Sequence, residues 1–293
     1  MKQATNIDQQ IDKLTSRGMT IDNPEKAKEN LLDIGYFRLG FYWFPFEKSY
    51  PRKIKRDHSF QADTKFEYAI ELYYFDFDLR NLFLRYISRI EINFRTKLIY
   101  YVSNQYADDP YWYLSPKVIK ESYLKSDKYQ EALREVKKET LIKHDLSTHS
   151  YSSSPAWKVL EFMSFGTITS IYDNLIDDRL KQRISLSYKM AKPTQFSNYI
   201  NTVRRLRNAC AHGKVLFDIN LSEAISDGPL GNLGARKTML SGAYMVFKYL
   251  LGCISQNRVN SMRIDLTSAF DSITYKRVSD IIINNSGLDL NNL

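Results

Sequence analysis

Residues 196–212 place several chemistry-bearing side chains at helical spacing. With Val203 at zero and about 100° per residue, Phe196, Tyr199, Leu206 and Cys210 fall within roughly 60° of it. That stripe predicts a buried face. The opposite half carries Ser197, Asn201, Arg204, Asn208 and His212, each three or four residues from the next and so neighbours on the helix surface. Arg207 stands at the edge between the halves, with a side chain long enough to fold over either way.

Such a row holds what cleavage of a phosphodiester needs. Histidine, with an ordinary pKa of about 6.5, can carry a proton in either direction near neutrality. Gly213 predicts the end of the helix directly after His212, where a positive charge is favoured. Arginines supply permanent charge and planar donors matched to phosphate oxygens. Asn208, one turn before His212, can hold the imidazole or donate to an oxygen. RNA brings its own nucleophile, the 2′-hydroxyl, so the chemistry needs a proton shuttle, charge stabilisation and an orienting donor but no metal ion. A solvated basic helix with a capping histidine fits the same spacing.

The string Arg207-Asn208-Ala209-Cys210-Ala211-His212 resembles a signature of HEPN ribonucleases, an arginine and a histidine with four to six residues between them. Other blocks resemble one branch of these proteins, the Abi-like (abortive infection) family of bacterial defence proteins. They are Gly35 through Leu39 with Tyr42 through Phe46, Ile90 through Arg95, Pro155 through Trp157 with Glu161 through Thr167, and Val203 through His212. The resemblance implies an α-helical HEPN fold and metal-independent endoribonuclease activity, with Arg207 and His212 catalytic and Asn208 in support. It also implies restraint by a small non-coding RNA acting as antitoxin. Lys214 departs from the pattern, since relatives often carry further His or Arg residues there, and this bears on contacts to substrate.

A second polar pair lies in the apolar block 87–102. With Ile90 at zero, Ile87, Phe94, Leu98 and Tyr101 share one side, Ile92 and Ile99 the other, and Glu91 and Arg95 fall between. They are four apart with the acid first, the favourable order. One reading is a partly buried structural pair stapling helices together. The other is that Glu91 or Arg95 reaches the Arg207–His212 site and orients it.

The elements that position these residues read as helices throughout. Residues 7–19 form a short helix ending at Gly18. Asn23, Pro24 and Glu25 open another that closes at Gly35. The aromatic run 36–46 predicts core packing, and Pro51 to His58 a basic loop. A long helical pattern from Phe66 to about Tyr106 predicts two helices with a break near residue 80. Further helices are expected over 116–140, 155–175, 178–190, from a cap at Thr194 to His212, and from about 236 to 255 before a weaker tail. Ser147 to Ser154 and Ser226 to Gly234 read as loops. No stretch alternates with strand period, so the expected class is all-α: a HEPN-like helical bundle with an N-terminal helical extension. Segments 1–60, 61–256 and 257–293 are the predicted extension, core and tail.

Composition sets the outer limits. The 293 residues carry 42 Lys and Arg against 33 Asp and Glu, a formal charge of +9 that suits an anionic partner. Apolar residues at 43% exclude disorder as the main state. With 11 Gly and 8 Pro, turn-forming residues are too scarce for a β-sandwich. Cys210 and Cys253 make no disulfide framework, and neither has zinc-finger spacing. The stretch from Leu240 to Ile254 contains Lys248 and is too short to span a bilayer. The expectation is a cytoplasmic protein with no cofactor and no membrane contact.

Arg204, Arg205 and Lys214, with the loop residues Arg52, Lys53, Lys55 and Arg56, are the predicted RNA contacts. His58, His144 and His149 read as solvated, and Trp43 and Trp157 as packing anchors. One motif per chain supplies one histidine and one central arginine. A homodimer with the two motifs facing each other is therefore expected, as the resemblance also suggests. A non-catalytic RNA-binding protein using the same basic face is the alternative, and a dimerisation bundle without RNA affinity a third reading.

Overall fold

The computed structural model describes residues 3–52, 54–149 and 153–289. The fold is all-α: among the described residues there are fourteen α-helices, short 3₁₀ turns, isolated bridges and no strand. In chain order they are α1 (Ile7–Ser16), α2 (Pro24–Asp33), α3 (Tyr36–Trp43), α4 (Phe66–Gln105), α5 (Glu121–Leu124), α6 (Asp127–Val136) and α7 (Thr140–His149). Then come α8 (Ala156–Val159), α9 (Phe165–Asp173), α10 (Asp178–Leu186), α11 (Pro193–Ala211), α12 (Leu240–Gly252), α13 (Gln256–Asp271) and α14 (Lys276–Ser286). None is long and apolar enough to cross a membrane among the described residues.

Local chemistry accounts for the ends read correctly from sequence. The Asn23 side chain accepts from the Lys26 N–H at 3.0 Å and Pro24 fills the first helical position, which opens α2. Gly35 at φ +91 turns the chain into α3.

The break expected near residue 80 does not exist. α4 runs unbroken for 40 residues, about 60 Å at 1.5 Å per residue. It contains no Gly or Pro, and Asp76 and Arg80 pair one turn apart where the break was expected. The single helix expected over 116–140 is instead α5, α6 and the start of α7, because Ser126 caps α6 by accepting from the Tyr129 N–H. Residues 155–175 likewise divide into α8, a 3₁₀ turn and α9, with Ser164 capping α9. α7 continues into the expected 147–154 loop as far as His149. Residues 150–152 of that loop, with the side chain of His149, lie outside the described residues.

Two compact units divide the chain. The first comprises residues 1–82, 209–220 and 262–293, and the second 83–208 and 221–261. In the first, Leu14, Leu31, Leu39, Leu72, Val278 and Ile282 are buried, and Phe75 packs edge-to-face on Phe270 at 5.1 Å. The segment expected as a tail thus supplies helical core residues. In the second, Phe94 meets Tyr172 at 5.8 Å and Phe196 at 5.6 Å, while Tyr188 stacks on Phe196 at 4.9 Å.

The aromatic run 36–46 is only partly core. Tyr42, Trp43, Phe44 and Phe46 are buried, but Phe37 is 83% exposed and Phe41 45%. Trp157, expected to anchor packing, is 51% exposed, because four-residue α8 turns it away from the buried Ala156 and Val159.

Candidate functional site

α11 carries the predicted row, and the division between units falls inside it after Asn208. Arg204, Arg205, Arg207 and Asn208 therefore belong to the second unit, and His212 and Lys214 to the first.

In the second unit Phe196, Tyr199, Val203 and Leu206 are fully buried, as the wheel predicts. Arg207 is half-exposed and places its Nε 3.6 Å from Oε2 of Glu91. The other oxygen of Glu91 lies 3.4 Å from Nη2 of Arg95. Arg95 in turn donates to the Met163 carbonyl at 2.9 Å and sits 3.5 Å from Glu161. One mostly buried carboxylate therefore serves two guanidiniums. The Glu91–Arg95 pair is buried on the Met163 side, whereas Ile92, the apolar flank expected to cover it, is 45% exposed.

The polar row before Arg207 is knitted together by a residue the sequence reading did not single out. Asp173 of α9 accepts from Ser197 at 2.5 Å and from Asn201 at 3.1 Å, and Asn201 accepts from Arg204 Nε at 2.9 Å. Arg205 pairs with Glu223. Both arginines nominated for RNA contact here are thus engaged within the fold. Asn208 is half-buried.

In the first unit the helix end forms as Gly213 predicts. Gly213 adopts φ +62, its N–H donates to the Cys210 carbonyl at 3.1 Å, and the Lys214 N–H donates to the Ala209 carbonyl at 2.9 Å. This pair of bonds is a Schellman ending with His212 as the C-cap. His212 is exposed, and Cys210 is buried, its thiol pushed up to about 12 by desolvation.

The residues after His212 are pinned by a buried polar network. Asp76, fully buried on α4, accepts from the backbone N–H groups of Leu216 at 2.8 Å and Phe217 at 2.9 Å. It also accepts from the Tyr42 hydroxyl at 3.0 Å and pairs with Arg80. Arg80 donates to the Lys214 carbonyl at 3.3 Å, and Arg38 of α3 donates to the Gly213 carbonyl. Burial pushes the Asp76 carboxyl above its ordinary value, while Arg80, the two amides and Tyr42 pull it back. None of Arg38, Tyr42, Asp76 and Arg80 was nominated from sequence. Asp76 and Arg80 carry the acid-first spacing of four that drew attention to Glu91 and Arg95.

A cavity of about 500 Å³ opens beside His212, lined also by Arg38, Phe41, Arg56, Lys214 and Asp218. It brings together three residues nominated from sequence: His212, Lys214 and Arg56. Arg56 is held by the buried Glu47, its Nε 2.9 Å from Oε2, and its guanidinium lies 4.2 Å over the Phe44 ring. His58, read as solvated, is half-buried with Nδ1 3.4 Å from the same carboxylate, and His144 is exposed. Arg52 and Lys55 are exposed on the loop and do not line this cavity; Lys53 lies outside the described residues.

A family model described as Abi-like protein matches residues 29–218, which include α3, the Glu91–Arg95 pair, α11 and the pinned segment. No curated protein and no solved structure matches the chain.

Proposed function

Taking as premise that the chain belongs to the Abi-like protein family, we propose a metal-independent HEPN-type endoribonuclease of an abortive-infection or toxin-type bacterial defence system. The observation that carries this reading is an exposed His212 at the wall of a cavity shared with Arg38, Arg56 and Lys214. An imidazole surrounded by cations suits an anionic substrate whose reaction moves protons.

His212 acts as general base toward the 2′-hydroxyl or as general acid toward the leaving 5′-oxygen. Arg207, five residues earlier in sequence, neutralises charge developing on the phosphate, and Asn208 orients. Glu91 holds the Arg207 guanidinium and Arg95 braces Glu91. The products are a 2′,3′-cyclic phosphate and a 5′-hydroxyl. Lys214 and Arg56, with Arg52, Lys53 and Lys55 of the basic loop, contact RNA, and Arg204 and Arg205 of α11 add to these contacts. Each chain supplies one histidine and one central arginine, so two chains complete one site as a homodimer in the cytoplasm. The bound RNA includes substrate and a small non-coding antitoxin.

The test is cleavage of total RNA in EDTA by wild type beside His212→Ala. Wild type is expected to leave cyclic-phosphate ends, and His212→Ala to cut at least about 100-fold more slowly. Mixed Arg207→Ala and His212→Ala chains should regain part of the lost rate. RNA binding that weakens with salt, without any cutting, would replace this reading with an RNA holder.

A further inference from the structure

A second cavity of about 300 Å³ adjoins the one beside His212 and shares Gly40, Phe41 and Arg56 with it. Lys13, Arg17 and Phe37 line it as well. Both cavities lie entirely within the first unit and meet at these shared residues of α3 and the basic loop; His212 lines one and Lys13 the other.

Three observations describe what this groove accepts. The first is charge. Among the described residues Lys13, Arg17, Arg38 and Lys214 make no ion pair with a carboxylate, while the cation at the waist, Arg56, is paired with the buried Glu47. Four cations without a carboxylate partner, against one acid in the lining, Asp218, fit a chain of anions.

The second is apolar. Phe37 and Phe41 project one turn apart from α3, 83% and 45% exposed, their ring centroids 5.4 Å apart at 80°. Exposed phenylalanines cost solvation and add nothing to the core. Cations alone would serve any polyanion; two exposed rings beside them offer π-faces to unstacked bases. Duplex bases are stacked and cannot use them.

The third is Gly40. It lies inside α3, where glycine is the less stable choice, and it has no positive φ. A Cβ there would meet only the Trp43 side chain, at 3.9 Å, an ordinary contact. Neither backbone nor packing requires glycine at this position. What the missing side chain leaves is open space in the lining that the two cavities share.

We propose that the α3 groove binds single-stranded RNA, with phosphates on Lys13 and Arg17 in one cavity and Arg38 and Lys214 in the other, and bases stacked on Phe37 and Phe41. The strand leads along α3 to His212. The assignment rests on the ribonuclease reading for the kind of polymer, and it adds where that polymer lies and why it must be single-stranded.

The experiment uses a labelled 12-nucleotide 2′-O-methyl RNA, which lacks the attacking hydroxyl, as a single strand and as a duplex, titrated with the full chain at several salt concentrations. Phe37→Ala with Phe41→Ala should weaken single-strand binding about tenfold or more, with the salt slope unchanged. Lys13→Ala with Arg17→Ala should lower that slope by about 1.4, at roughly 0.7 per phosphate. Gly40→Leu should weaken binding by filling the waist. Phe37 and Lys13 are exposed, so an unchanged unfolding midpoint will show that the fold survives.

Wild-type affinity in all three variants overturns the proposal. So does a wild type that prefers the duplex, or a Phe37→Ala/Phe41→Ala protein that dissociates from dimer to monomer with RNA affinity intact, which would make the rings a contact between copies. The same variants are then given unmodified RNA in EDTA. Binding lost in the variants while even wild type cuts nothing refutes the ribonuclease and leaves the groove standing; cutting by wild type with unaltered variants refutes the groove alone.

Discussion

Replacing Asp76 with asparagine tests whether the buried network holds the segment after His212. Asparagine keeps the shape and one acceptor oxygen, so the amides of Leu216 and Phe217 can still donate to position 76. What changes is the other oxygen, which becomes an NH₂ facing Arg80 and the Tyr42 hydroxyl. Arg80 is 5% exposed and loses its carboxylate partner. Removing one partner of a buried pair costs about 3–5 kcal/mol, most of it the stranded charge. The weakened Tyr42 bond adds about 1 kcal/mol. A total loss of about 4–6 kcal/mol corresponds to roughly 10 °C in melting temperature for a chain of this size, at about 2 °C per kcal/mol.

Hydrogen exchange gives the local readout. If opening of residues 213–217 is what Asp76 opposes, the Leu216 and Phe217 amides should exchange about a thousandfold faster in Asp76→Asn. Adding Arg80→Gln removes the stranded charge and offers an acceptor to the new amide. The double variant should therefore be more stable than Asp76→Asn alone, because the two sites share one network. A single variant that loses less than about 1 kcal/mol, or a double variant less stable than the single, would refute the reasoning.

Glu91→Gln should lower the RNA-cleavage rate constant about tenfold at unchanged KM in a folded protein, since the carboxylate holds the Arg207 guanidinium. Arg95→Lys, which alters the brace but not the contact to Arg207, should lower stability by about 1–2 kcal/mol and leave that rate constant near wild type. Equal cleavage by Glu91→Gln and wild type would reduce the trio to a structural staple. Cys210 should resist iodoacetamide at pH 8.5 until the protein unfolds, because burial holds its thiol at about 12. The native state then binds the proton that the unfolded state has released, so stability from this group is complete below about pH 9 and falls as pH rises toward 12. Rapid labelling of Cys210 in the native protein would contradict its placement.

Several features were legible from sequence because they depend on neighbours within one or two turns. The Asn23-Pro24 start, the Gly213 ending, the buried stripe of α11 and the shared face of Glu91 and Arg95 are all consequences of 3.6 residues per turn and of capping chemistry. The all-α class followed from scarce glycine and proline and from the absence of strand periodicity. Helix breaks were read less well. Nothing interrupts α4 near residue 80, while Ser126 and Ser164 interrupt segments that look continuous. A serine cap is visible only when its side chain accepts a bond, and composition does not record that.

The site itself divides along the same line. Sequence nominated Arg207, Asn208 and His212 from spacing together with a family resemblance, and Glu91 and Arg95 from their place in an apolar helix. Only the fold decided that Glu91 meets Arg207, that Arg205 is taken up by Glu223, and that Phe37 and Phe41 face solvent. It also decided that Asp76 holds Phe217 across 141 residues. Periodicity reports which side chains share a face; it carries no information on what that face meets, because such partners come from chain segments far apart in sequence and are selected only when the core packs.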